Sequence, residues 1–135
     1  MNIMKLTGKV VIGEQQATFF TQLDWVMRQC SEKLGFEPFP GTLNLEVITE
    51  DLKLVHELKY KKGVELQPTD LQSCAATVLP VQIEGHDCAV VVPDEEVNIH
   101  KENIVEIMSG ESLRSTLNIK DGDPVTITFR KPDEE

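Results

Sequence analysis

Three oxygen-bearing side chains, Thr42, Asn44 and Glu46, occupy every second position directly after Pro40-Gly41. Leu43, Leu45 and Val47 fill the alternate positions, so the spacing predicts a strand over 42–48 with one polar face. A hydroxyl, an amide carbonyl and a carboxylate on one face could hold a hard cation such as Mg²⁺, or partner phosphate and sugar groups. On spacing alone the solvated outer face of an edge strand is the more ordinary reading, because most antiparallel strands alternate this way. Further along, Glu106, Glu111 and Arg114 extend the oxygen-rich set and add a cation. Phosphoryl transfer asks for little more: a metal held by oxygens, a cradle for phosphate and a carboxylate to orient the attacking hydroxyl. Walker A, GxGxxG, nucleophile-elbow and HExxH patterns are all missing. His56, His86 and His100 are scattered, and Cys30, Cys74 and Cys88 show neither CxxC nor a zinc-ligand interval, so the thiols read as reduced core residues.

These groups belong to a chain of 135 residues, most simply one domain spanning 1–135, with ordinary apolar content of 40%. Acidic residues outnumber basic ones by 23 to 13, and a formal charge of −10 argues against nucleic acid or an anionic membrane as partner. Residues 1–6 run straight into strand-like sequence, so no signal peptide is expected, and no apolar run approaches the roughly 20 residues that span a bilayer. The expected location is the cytoplasm; oligomeric state is not legible.

In chain order, residues 3–13 read as a first strand with Gly8 as a bulge and Gly13 as its end. Thr18-Phe19-Phe20 reads as a β segment pairing back as a hairpin. From Gln22 to Leu34 the period becomes helical, with Leu23, Val26, Met27, Cys30 and Leu34 on one side, Thr21 as N-cap and Gly35 as stop. Trp25 fits core packing or a ligand platform. Residues 52–73 suit a short helix or a strand and contain a basic cluster, Lys59-Tyr60-Lys61-Lys62, readable as a solvated loop or a phosphate contact. Two apolar runs over 74–92, joined at Glu84-Gly85-His86, predict a hairpin buried on both faces or lining a barrel. Residues 98–108 read as helical, 112–119 as a short helix, and Lys120-Asp121-Gly122-Asp123 as a tight turn before a strand from Pro124. About six strands, one long helix and one or two short ones are most economically a small β-barrel, because closure removes exposed edges.

Several blocks in this order carry a resemblance. They are Gly8-Lys9-Val10-Val11 with Gly13, the run from Leu34-Gly35-Phe36 to Phe39-Pro40-Gly41-Thr42-Leu43-Asn44-Leu45, then Val78-Leu79-Pro80-Val81 and Ala89 to Pro93. Ile104-Val105-Glu106-Ile107, Leu113-Arg114 and Leu117 to Asp123 complete the set. Together they resemble the archaeal-type CTP-dependent riboflavin kinases over nearly the whole chain. The resemblance implies a mainly β fold, a six-stranded cradle-loop barrel that transfers the γ-phosphoryl group of CTP to riboflavin, giving FMN and CDP. By position it implies that Thr42 and Asn44 hold Mg²⁺. Glu106 is then the catalytic group at the ribityl end of the flavin, and Asn98 contacts the flavin where the family usually has threonine. Gly13, Glu111, Ser112, Leu113 and Arg114 meet the nucleotide. The chain departs from the family at 14–18, Glu-Gln-Gln-Ala-Thr, where Gln15 and Ala17 replace glycines of a phosphate-approaching loop. That departure leaves an alternative, a relative that binds flavin or nucleotide without transferring phosphate.

Overall fold

The computed structural model describes residues 3–12, 16–59, 63–69, 75–93 and 103–130. The first strand, β1 (Ile3–Val11), is buried at Leu6, Gly8 and Val10 and exposed at Lys5, Thr7 and Lys9. It is flanked by β2 (Leu43–Val47) and by the last strand, β7 (Pro124–Arg130). The order continues from β2 through β6 (Ile104–Ser109) and β5 (His86–Pro93) to β4 (Ala76–Ile83). A Gln82–Thr128 pairing between β4 and β7 closes this set into a six-stranded antiparallel barrel. The short β3 (Val64–Leu66) adds to the free edge of β4.

Closure creates two apolar compartments. Inside the barrel pack Leu6, Leu45, Val81, Val90, Val105 and Ile127, among others, joined by Val55 and Leu58 of α3 (Leu52–Lys59). Outside, Trp25, Val26 and Cys30 of α2 (Asp24–Leu34) cover Ala76, Val78, Ala89, Val91 and Met108. Strands β4 and β5 therefore send alternate side chains into different apolar compartments, and this double burial is why their sequence is almost continuously apolar. Their hairpin turns through Glu84 and Gly85, both at positive φ (48° and 83°), between the paired Ile83 and His86. That is the geometry of the two-residue turns that match strand twist. The β4–β5 hairpin, the Gly35 helix stop (φ 83°) and the β7 strand agree with the sequence reading.

Other expectations are corrected. Thr18-Phe19-Phe20 is not a strand but part of α1 (Gln16–Thr21), where Phe20 meets Trp25 edge-to-face at 6.0 Å. Helix α2 starts at Asp24, with Leu23 rather than Thr21 at its N-cap. Gly8 forms no bulge, since the β7 ladder runs through it in constant register and the β2 ladder starts at it; a Cβ there would meet Leu45 Cβ at 2.9 Å, so its role is close strand approach. The helix expected over 98–108 is, in its described part, β6: Val105 and Ile107 face the barrel interior and the strand fills the gap between β2 and β5. Its β-branched Ile104, Val105 and Ile107 suit that pleated surface better than a helix. Residues 52–59 resolve as helix, with a 3₁₀ turn (Thr49–Asp51) before it. Lys59 Nζ donates to the Ile104 carbonyl at 3.0 Å, so this lysine of the basic cluster is tied to the barrel, while Tyr60, Lys61 and Lys62 lie outside the described residues.

Candidate functional site

In β2, Leu43, Leu45 and Val47 enter the barrel core, which turns Asn44 and Glu46 outward. Only Glu46 behaves as a solvated face would. Asn44 is 4% exposed, flanked by Val11 on β1 and Glu106 on β6, its direct partners in the two ladders. Glu106 points outward as well, because its neighbours Val105 and Ile107 are core residues. Directly opposed residues of an antiparallel pair share a face, so the fold puts the Asn44 amide and the Glu106 carboxylate side by side.

The turn before β2 adds a third group. Thr42 Oγ1 donates to Asn44 Oδ1 at 2.9 Å. Cis ligands of an octahedral Mg²⁺ bound at about 2.0–2.1 Å stand √2 times that length apart, about 2.8–3.0 Å. The two oxygens thus have the spacing and the hard-donor chemistry that such an ion needs, provided the threonine proton rotates away. Among the described residues no group of three or more His, Cys, Asp or Glu side chains could hold a metal.

Thr42 also lines a groove of about 190 Å³. One wall is Phe39, Pro40 and Gly41; the other is Glu111, Ser112, Leu113 and Arg114. The first wall is fixed at two points. Phe39 N donates to the Ser109 carbonyl at the end of β6 (2.7 Å), and Gly41 N, at φ 98°, donates to Thr21 Oγ1 at 2.8 Å. The second wall starts with Ser112 as N-cap of the short helix α4 (Leu113–Thr116), its hydroxyl accepting from Ser115 N at 3.4 Å, and is anchored by buried Leu113. Helix α4 ends in a Schellman arrangement: Asn118, at φ 54°, donates to the Ser115 carbonyl and Ile119 to that of Arg114. The turn that follows, with Gly122 at φ 93°, docks on β1 through Gly122 N to Val10 O (2.8 Å).

Charges at the groove are paired. Arg114 meets Asp121 at 2.7 Å, and His86 Nδ1 lies 2.8 Å from a Glu111 carboxylate oxygen. His86, at the hairpin tip, therefore reaches the groove rim. Beneath it Cys88 is buried, and desolvation pushes its thiol up to about 11 despite a hydrogen bond from Ser109; burial pushes Cys30 up to about 11 as well. Both are free thiols and neither is a nucleophile at neutral pH.

Of the residues singled out by sequence, Thr42, Glu111, Ser112, Leu113 and Arg114 line one groove, and Asn44 and Glu106 form the strand rung beside it. Gly13 and Asn98 lie outside the described residues, as do Cys74 and His100. Phe39, Ser109 and Thr21 were not anticipated at this site. Phe39 sits inside the Phe-Pro-Gly motif and had a signal; Thr21 had a misleading one, because a threonine before an amphipathic run reads as a helix cap.

The chain is 32% identical over 124 residues to a riboflavin kinase of Methanocella arvoryzae, covering 92% of this chain and 56% of that one. It is 35% identical over 127 residues to a riboflavin kinase of Ignicoccus hospitalis (92% and 70%) and 29% identical over 126 residues to one of Methanobrevibacter smithii (93% and 100%). The chain spans little more than half the length of several curated relatives. The family model CTP-dep_RFKase, described as Domain of unknown function DUF120, matches residues 10–129. With that match running from the end of β1 through almost all of β7, the chain belongs to the riboflavin kinase family that this model defines.

Proposed function

We propose that this protein transfers the γ-phosphoryl group of CTP to the terminal ribityl hydroxyl of riboflavin, forming FMN and releasing CDP. The observation that carries the reading is the Thr42–Asn44 oxygen pair, set at 2.9 Å on the edge of a groove and one strand away from a carboxylate. The acceptor is supported by the relatives' name, riboflavin kinase, and the donor by the family's name.

Thr42 and Asn44 would hold Mg²⁺, with water and phosphate oxygens completing its shell. The ion supplies charge neutralisation at the transferring phosphoryl group. Glu106 would accept a hydrogen bond from the ribityl hydroxyl and take its proton as the new O–P bond forms and CDP leaves. The segment from Glu111 to Arg114 would border the nucleotide. Arg114 would share its guanidinium between Asp121 and phosphate, an exchange its partial exposure permits. Asn98 at the flavin and Gly13 at the nucleotide complete the assignment.

The replaced glycine at 17 weighs less against CTP than the sequence alone implies, while Gln15 lies outside the described residues. Ala17 lies within α1, so its backbone is helical and needs no glycine. Purified protein incubated with riboflavin, Mg²⁺ and, in turn, CTP, ATP, GTP and UTP tests the reading by chromatography. FMN formed with CTP in preference to the others supports it. Saturable riboflavin binding without FMN from any donor would establish the binding-only alternative.

A further inference from the structure

Thr21 has the residue type and position of a helix cap, yet its side chain is turned elsewhere. It is fully buried, and its Oγ1 accepts the Gly41 N–H at 2.8 Å while donating to the Thr18 carbonyl at 3.2 Å. The hydroxyl thus bridges the last turn of α1 to the residue just before Thr42. Gly41 sits at φ 98°, a left-handed conformation in which a glycine is free to move, so its N–H needs a fixed partner if the following residue is to hold one orientation. The turn also lies against α1: a Cβ at Gly41 would stand 3.5 Å from Thr18 Oγ1, an ordinary van der Waals contact. Thr18 is itself held, its carbonyl also accepting from Gln22 Nε2 at 3.0 Å.

We propose that Thr21 is a positioning residue for the Thr42–Asn44 oxygen pair, acting through the Gly41 N–H to set the separation at which the two oxygens bind a divalent cation. The inference rests on the metal assignment made above. It also gives α1 a part in the site, because the helix is joined by one hydroxyl to the turn that carries Thr42. Outer partners that orient metal ligands commonly change metal affinity by roughly 10- to 100-fold when removed.

The test uses Thr21→Val, which keeps the branched shape and deletes the hydroxyl, and Thr21→Ser, which restores it. Two readouts are independent of turnover: Mn²⁺ affinity followed by paramagnetic relaxation, and hydrogen exchange at the Gly41 amide. The expected result is roughly 10- to 100-fold weaker Mn²⁺ binding and faster Gly41 exchange in Thr21→Val, with Thr21→Ser close to wild type. In the FMN assay the half-saturating Mg²⁺ concentration should rise in Thr21→Val while KM for riboflavin stays unchanged. Unaltered Mn²⁺ affinity in a folded Thr21→Val, or no Mn²⁺ binding by the wild type, overturns the proposal. Wild-type protein that binds Mn²⁺ in a Thr21-dependent way but makes no FMN refutes the kinase reading and leaves the positioning role standing.

Discussion

Asn44 and Glu106 stand directly opposite each other across the β2–β6 ladder, both on the outward side of a wall whose inward side is core. Asn44 is 4% exposed and its Oδ1 accepts from the Thr42 hydroxyl at 2.9 Å, so the buried amide oxygen is partnered beside the carboxylate. In the proposed reaction the two groups border the same centre.

Replacing Glu106 by glutamine keeps the shape of the side chain and removes its ability to take a proton. General-base catalysis contributes roughly 10²- to 10⁴-fold, so kcat for FMN formation should fall by that factor while KM for the nucleotide is unchanged. Steady-state kinetics with riboflavin and CTP check this; a wild-type kcat would remove Glu106 from the reaction.

Gly8 sets how closely β1 approaches β2. A Cβ there would lie 2.9 Å from Leu45 Cβ and 3.2 Å from the Glu46 carbonyl oxygen, neither of which is a flexible chain end. Gly8→Ala should destabilise the fold by about 1–3 kcal/mol, the usual range for overpacking. Urea unfolding measures it, and a midpoint equal to wild type would show that the two strands can separate without cost.

Burial raises the Cys30 and Cys88 thiols from 9.0 to about 11. Below pH 9 both are protonated folded or unfolded and add no pH dependence. As pH climbs from about 9 to about 11 the unfolded chain releases these protons first, so stability falls across that window. The urea midpoint of wild type should drop there more steeply than that of a Cys30→Ala, Cys88→Ala double variant. At pH 8 iodoacetamide should label neither thiol until the protein is unfolded, as peptide mass spectrometry would report.

Much of the barrel is legible from local pattern: the β1 and β7 alternation, the β4–β5 hairpin and the Gly35 stop depend on near neighbours, whereas the hairpin link is one residue shorter than the expected Glu84-Gly85-His86 and the helix expected over 112–119 is confined to Leu113–Thr116. The errors fall where tertiary context decides. Ile104-Val105-Glu106-Ile107 takes strand geometry because two waiting strand edges bracket it, and Phe20 is helical because its ring packs on Trp25. The groove wall from Glu111 to Arg114 and the oxygens of Thr42 and Asn44 were accessible through motif resemblance. The bond from Gly41 to Thr21 was not, because a side chain reaching across twenty residues leaves no periodic trace.

The most direct measurement is the yield of FMN and CDP from riboflavin and CTP with Mg²⁺, run for wild type and Asn44→Ala. Equimolar FMN and CDP from the wild type, abolished by EDTA, is the expected result. For Asn44→Ala the rate should be lower by roughly 100-fold or more, as expected for a metal worth several kcal/mol of charge stabilisation. Riboflavin left unphosphorylated by the wild type, or an Asn44→Ala variant as fast as wild type, would contradict the account.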